Sequence, residues 1–407
     1  MQIDNSLLII LVALLAMLTS LLVFPRALLY AKKHGIVDSP NIRKLQRVPV
    51  PVFGGVVVYS GILVGGLALL AVVQSSVVAW GLLAMTVMLV IGVWDDMKDI
   101  SVTIRLLVEI LLVVMFICAT GLYIDDFHGL WGVYDIDPWL GIPLSVFVGV
   151  GIINAINLID GVDGYSSGYG MQACLCFALA FWSVGSSIMV GLALIVIGAL
   201  LPFFMHNVFG LRSRMFIGDG GTLMLGMLMV VMAFTAISSR GGLEPLERQG
   251  VCIPAFLIAV GCIPLFDTVR VMVMRILRGR SPFSPDRTHL HHLFVDMRFS
   301  HLGAALTILM INTMVISVWF LSWRLGASVD VQMYLVVALG FVVTFGFYHF
   351  MRLNQIGGAL DEEGYPDGTS LWHGMCRIGT LTHREDKPLW QNIQKIVDGL
   401  MLKGWRV

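Results

Sequence analysis

The chain is 407 residues long, 57% hydrophobic and only 13% charged, with a formal net charge of zero and a mean hydropathy of +0.87. Soluble domains carry about 25% charged residues, so the composition excludes an ordinary water-soluble globule. The six cysteines form no CxxC and no loop-paired pattern, which argues against a disulfide framework or a thiolate metal site.

Apolar runs near the ~20 residues needed to cross a bilayer recur along the chain. They predict an all-α polytopic membrane protein with eleven transmembrane helices, over about 6–30, 53–73, 77–94, 101–122, 140–157, 165–183, 186–206, 220–238, 251–276, 303–323 and 331–350. The first run, LLIILVALLAMLTSLLVF, has no basic residues before it and no small-residue cleavage site. It reads as a first span, not as a removed signal peptide. The stretch 123–139, rich in aromatic and turn residues, suits a small hairpin or interfacial anchor. Two domains follow: a transmembrane domain over 1–350 and an extramembrane tail over 351–407. In the tail, LWQNIQKIVDGLMLKGW carries apolar residues at helical spacing, as an amphipathic helix would.

Basic loops stay on the cytoplasmic side of a membrane. With the N-terminus outside, 23 of the 26 lysines and arginines fall inside, and only Arg240, Arg248 and Arg324 fall outside. The C-terminal tail is then cytoplasmic. The same assignment gathers Asp95, Asp96, Asp99, Asp160, Asp163, Asp219 and Asp286 at the cytoplasmic face, together with the histidines of SPFSPDRTHLHHLF.

Four stretches carry polar chemistry. VWDDMKDIS closes the third span with two adjacent aspartates, which repel unless a cation or proton lies between them; a polar helix end is the plain alternative. NAINLIDGVDGYSSG sets Asn154, Asn157, Asp160 and Asp163 at a strict period of three, which places them along one helix face, although Asn and Asp beside Gly also mark turns. MFIGDGGTLMLG puts Asp219 at the start of an apolar span, where it could cap the helix, ligate a metal or do both. SPFSPDRTHLHHLF supplies Arg287, His289, His291 and His292; their spacing lacks the i, i+4 pair usual for zinc and fits diphosphate and sugar recognition better. Two further pairs, Arg105 with Glu109 and Asp267 with Arg270, read as internal ion pairs. Carboxylates with cations at a membrane face suit Mg²⁺-assisted phosphoryl transfer. The alternative from another class is a cation- or proton-coupled transporter, but its acids should lie at the midplane, between inverted repeats, and no repeat is found.

In order along the chain, GIVDSPNIRK with PVPVFGG, Asp95–Asp96, NAINLIDGVDG, FIGDGG and SPFSPDRTHLHH resemble the motifs of the polyprenyl-phosphate N-acetylhexosamine-1-phosphate transferases of the WecA/TagO type. The resemblance covers about residues 35–320. It implies an eleven-helix fold with an active-site groove at the cytoplasmic face, in a bacterial inner membrane, forming a homodimer. It implies transfer of a HexNAc-1-phosphate, most commonly GlcNAc-1-phosphate, from a UDP-sugar to undecaprenyl phosphate, with membrane lipid around it and no nucleic-acid partner. Mg²⁺, with Mn²⁺ as the alternative ion, is the implied cofactor, and Asp219 the implied metal ligand. Asp95, Asp96 and Asp160 match catalytic positions. Asn157, Asp163, Asn207 and Phe216 match the nucleotide site, Phe216 as a stacking ring for uracil. Arg287, His289, His291 and His292 match the sugar and diphosphate loop. The chain departs from the family pattern at Gln46, Tyr165 and Thr222, none of which alters a proposed charge. Neither the sugar nor the downstream glycan, whether O-antigen, capsule or wall teichoic acid, follows from these motifs.

Overall fold

The computed structural model describes residues 5–38, 49–282, 288–297, 299–350 and Val397. Arg287 and the amphipathic helix expected in the tail lie outside the described residues, apart from Val397.

Helices dominate, in the order α1 (Asn5–His34), α2 (Gly54–Val72), α3 (Ser76–Lys98), α4 (Val102–Thr120), α5 (Pro138–Leu158), α6 (Tyr165–Ser183), α7 (Ser187–Phe209), α8 (Gly218–Ile237), α9 (Glu244–Glu247), α10 (Ile253–Val260), α11 (Cys262–Leu277), α12 (Leu290–Asp296), α13 (His301–Arg324) and α14 (Val329–Phe341). Serines start several of them. Ser75, Ser101, Ser300 and Ser328 accept hydrogen bonds from Val78, Ile104, Gly303 and Val331 N–H at the heads of α3, α4, α13 and α14. Such caps satisfy amide donors that the first helical turn leaves open.

Among the described residues, nine helices are long and apolar enough to span a membrane, and a bent pair makes up to ten. The protein is therefore a multi-pass membrane protein. Each of the eleven predicted segments coincides with a helix or with that pair, but α6 opens with YSSGYGMQ and is too polar to count with the rest. The segment predicted as one helix over 251–276 is broken: α10 and α11 meet at Gly261 with a bend of 74°. Asn312 of α13 fills the break. It accepts from Ile263 N–H at 3.2 Å and donates to Val260 C=O at 3.1 Å, replacing bonds that a continuous helix would make. The all-α expectation needs one addition, a two-residue antiparallel ribbon pairing β1 (Val37–Asp38) with β2 (Val50–Pro51).

The axis of the bundle is α8, buried from Gly220 to Ile237. It packs against α2, α3 and α5. With lipid outside, helices associate through close contact of small residues, and α8 has two such contacts at its N-terminal turn. A methyl group on Gly92 of α3 would lie 2.5 Å from the backbone of Asp219 and Gly220, and one on Gly55 of α2 would lie 2.4 Å from Gly221 N. The start of α8 is thus gripped by backbone on two sides. At the opposite end of the bundle, residues 123–137 fold back as a hairpin, with Phe127 N–H donating to Tyr134 C=O at 3.0 Å. His128 fastens the hairpin to Glu247 Oε2 at 2.9 Å and to Ile237 C=O at 2.6 Å.

Candidate active site

One end of the bundle collects the last turn of α3, the turn after α5, the first turn of α8 and the histidine stretch leading into α12. The segment before α8 is pinned by backbone bonds: Phe216 N–H donates to Pro51 C=O at 2.8 Å, and Gly54 N–H to Phe216 C=O at 2.9 Å. The Phe216 ring is half-buried beside them. Gly218 follows with φ +72°, a left-handed conformation in which a Cβ would also lie 2.5 Å from Asp96 Oδ2. Glycine is required there on both counts.

Asp96 is the cap of α8. Its Oδ1 accepts from Asp219 N–H at 2.9 Å and its Oδ2 from Gly220 N–H at 3.1 Å. The sequence allowed Asp219 itself to be that cap; instead Asp219 lies inside the first turn, and a carboxylate from α3 closes it. A negative charge suits this place, where the helix presents open N–H groups and the positive end of its dipole. Asp219 is left with its side chain outside that cap, partly exposed. Its Oδ1 accepts from Asn157 Nδ2 at 2.8 Å, and the same amide nitrogen donates to Thr222 Oγ1 at 2.9 Å.

Asp95 lies beside Asp219 and has further partners of its own. Its Oδ1 accepts from Ile100 N–H at 2.7 Å, closing the α3–α4 turn, and its Oδ2 meets Arg105 Nη1 at 3.3 Å. Asp160 accepts from Ser166 Oγ at 2.8 Å and is an exposed residue. Desolvation by the surrounding protein, together with the nearby charge of Asp219, raises its carboxyl above the usual range, and the Ser166 hydrogen bond opposes that rise.

The period-three ladder on α5 and its following turn therefore serves four partners. Asn154 holds Glu109, Asn157 holds Asp219, Asp160 takes Ser166, and Asp163 goes inward. Asp163 is 6% exposed. Its carboxylate accepts from Asn207 Nδ2 at 3.2 Å and from His301 Nδ1 at 2.7 Å, and it pairs with Arg214. Asn207 is buried and spends its amide on Asp163, Met215 C=O at 3.0 Å and Gly164 N–H at 2.7 Å. In this arrangement Asn207 positions Asp163 and its loop. Arg214 and His301, which sequence reasoning passed over, form the half-exposed surface above the buried carboxylate. Arg214 stands two residues before Phe216, yet no spacing rule marks it, and His301 lies 138 residues from its partner.

The histidine stretch is anchored from below by Asp267 of α11. Asp267 accepts from Arg270 at 2.6 Å, from His289 Nδ1 at 2.9 Å and from Leu290 N–H at 3.3 Å, while Arg270 also donates to Thr288 C=O at 2.6 Å. The Asp267–Arg270 pair is thus internal, as expected, and it also fixes the loop. His289 and His291 are buried with rings parallel, 5.7 Å apart, and the His291 and His292 centroids are 4.2 Å apart. The His291 ring lies directly on the backbone of Gly161: a methyl there would fall 2.0 Å from Nε2. Gly161 thereby joins the histidine stretch to the Asp160 turn. Burial and the neighbouring histidines hold the His291 pKa well below its ordinary value, so the ring is neutral near pH 7.

Among the described residues, no three His, Cys, Asp or Glu side chains close into a ready metal cage.

Residues 78–237, the region from α3 through α8, match the family described as Glycosyl transferase family 4. The chain is 30% identical over 297 residues to the undecaprenyl-phosphate alpha-N-acetylglucosaminyl 1-phosphate transferase of Escherichia coli K12, covering 72% of this chain and 78% of that protein. It is 30% identical over 313 residues to the probable undecaprenyl-phosphate N-acetylglucosaminyl 1-phosphate transferase of Bacillus subtilis 168, covering 76% and 84%. The Yersinia pestis relative, named like that of E. coli, is 29% identical over 280 residues, 66% of this chain and 72% of its own. The matched region includes α3, α5 and α8, which carry the acidic cluster, and the chain belongs to glycosyl transferase family 4, among the polyprenyl-phosphate N-acetylhexosamine-1-phosphate transferases, as a membrane-embedded sugar-phosphate transferase.

Proposed function

We propose that this protein transfers GlcNAc-1-phosphate from UDP-GlcNAc to undecaprenyl phosphate at the cytoplasmic face of a bacterial inner membrane, releasing UMP. The observation that supports this most is the gathering of Asp219, Asp160 and Asn157 around the gripped N-terminus of α8, next to a buried histidine stretch. The excess of lysine and arginine on the same side supports the cytoplasmic orientation. The names of the relatives support the acceptor and the sugar.

Mg²⁺ fits the donor set. It takes about six oxygens and commonly uses one or two carboxylates, with water and substrate phosphate supplying the rest. Asp219 and Asp160 would hold it, since Asp96 is occupied as a helix cap and Asp95 by its turn and Arg105. Bound there, the ion would neutralise charge on the diphosphate. An oxygen of the lipid phosphate attacks the β-phosphorus, which bears the sugar. A new P–O bond forms, the bond from the β-phosphorus to the bridging oxygen breaks, and its electron pair leaves on UMP. Lipid phosphate is mostly dianionic near neutral pH, so direct attack needs no strong base. The Phe216 face stacks on uracil, with Arg214 and His301 above Asp163 completing that side. The histidine stretch faces the diphosphate and sugar.

The test is transfer of label from UDP-GlcNAc or UDP-GalNAc to undecaprenyl phosphate by purified protein, with Mg²⁺ or EDTA, for wild type and Asp219→Asn. Lipid labelling from UDP-GlcNAc that EDTA and Asp219→Asn both abolish is expected. Labelling from UDP-GalNAc alone would overturn the sugar assignment. UMP release without lipid labelling would overturn the acceptor.

A further inference from the structure

We propose that Glu109 and Asn154 are positioning residues for the transfer, holding Arg105 against Asp95 through a buried chain that crosses three helices. This inference rests on the transferase reading above.

Glu109 is 1% exposed on α4, a carboxylate inside a membrane-spanning helix. Such groups are costly and persist where they have partners and a task. Here the partners are two. The Asn154 amide of α5 donates to Oε2 and also to Val150 C=O at 3.0 Å. The other oxygen, Oε1, makes no hydrogen bond and has Arg105 Nε at 3.6 Å. Arg105 is one turn earlier on α4 and passes its other end to Asp95 Oδ2 at 3.3 Å. Glu109 thus grips the Nε side of a planar guanidinium whose Nη1 side faces Asp95. A fork held at one edge can point only one way.

The chain continues into the site. Asp95 is held on its second oxygen by Ile100 N–H at 2.7 Å, so the turn fixes one side of the carboxylate and Arg105 the other. Its neighbour Asp96 caps α8. Asn154 precedes Asn157 by one helical turn on the same face of α5, and Asn157 holds Asp219. One face of α5 therefore sets Asp219 directly and the α3 terminus through Glu109 and Arg105. The local sequence spacing explains an Arg105–Glu109 pair but not the asparagine that completes it.

The experiment compares Glu109→Gln, Glu109→Asp and Asn154→Ser with wild type, as purified full-length protein in matched folded amounts. Glu109→Gln keeps the shape and an acceptor for Asn154 but removes the charge that holds Arg105. Its kcat is expected to fall about tenfold or more, the scale of loss that a slightly misplaced group causes. KM for UDP-GlcNAc should stay within about twofold, since no substrate contact is removed. Glu109→Asp should recover part of the loss, and Asn154→Ser should reproduce it in milder form. A second readout is independent of catalysis: phenylglyoxal modification of Arg105, followed by mass spectrometry, should become several-fold faster in Glu109→Gln. Unchanged kcat in folded Glu109→Gln, a loss confined to KM, or an unchanged Arg105 modification rate would each overturn the proposal. If wild type transfers no label, the transferase reading fails, while the modification rate still decides whether Glu109 holds Arg105.

Discussion

A single methyl group at Gly92 should disable the enzyme without touching a polar side chain. A Cβ there would lie 2.5 Å from the carbonyl carbon and oxygen of Asp219 and from Gly220 Cα. Ordinary contact between such atoms is about 3.5–4.0 Å, so α3 and α8 must separate locally by about 1 Å. The contact is backbone against backbone, and no rotamer change relieves it. Overpacking of this kind costs roughly 1–3 kcal/mol, offset by about 1 kcal/mol of helix propensity gained on replacing Gly with Ala. The net loss of stability is therefore modest, about 1 kcal/mol. The functional loss is larger, because the residue displaced is Asp219. A misplacement of about 1 Å can cost on the order of a hundredfold in rate, or about 2.7 kcal/mol on the barrier. Gly81→Ala is the control on the same helix. Its Cβ would meet α8 only at the Val231 side chain, 3.3 Å away, which can yield. The assay is label transfer to undecaprenyl phosphate together with melting in detergent. Gly92→Ala should melt within a few degrees of wild type and lose about two orders of magnitude in kcat, while Gly81→Ala stays near wild type in both. Full activity in folded Gly92→Ala, or equal damage from Gly81→Ala, would refute the reasoning.

Two further outcomes follow from the same geometry. Asp96→Ala leaves the Asp219 and Gly220 amides without their acceptors; loss of a helix cap costs about 0.5–2 kcal/mol, so melting temperature and activity should fall together, and lost activity with unchanged melting would mark Asp96 as a chemical group instead of a cap. His291 is neutral in the folded protein because burial lowers its pKa, so below about pH 6.5, the ordinary histidine value, the unfolded chain takes up the proton first. Stability should be complete above that pH and decline below it, by up to about 1.4 kcal/mol per pH unit for this one group; a His291→Asn variant that melts with an undiminished acid slope would contradict this.

The motifs were legible as motifs, but the roles of their members were not. Asp95 and Asp96 read as one acidic pair, yet their carboxylates take different partners, one a local turn and Arg105, the other the backbone at the head of α8, 123 residues on. The four ladder residues share one spacing and have four different partners. Period three states that side chains share a helix face; it does not state what faces them. Asp163 looked available to a ligand and is buried under Arg214 and His301. The break at Gly261 was hidden because apolar residues run through it unchanged, and Asn312, which makes it tolerable, comes from another helix.

By itself, the sequence determined the membrane class, the position of nearly every helix and the family. These depend on local composition and short motifs, since the bilayer reads hydropathy one segment at a time. The tertiary structure decided which acids are spent on structure and which are not, where the ninth predicted span bends, and why glycine stands at 92, 161 and 218. Caps in trans, buried ion pairs and backbone contacts are choices among spatial neighbours, and those neighbours exist only once α8 is enclosed by α2, α3 and α5.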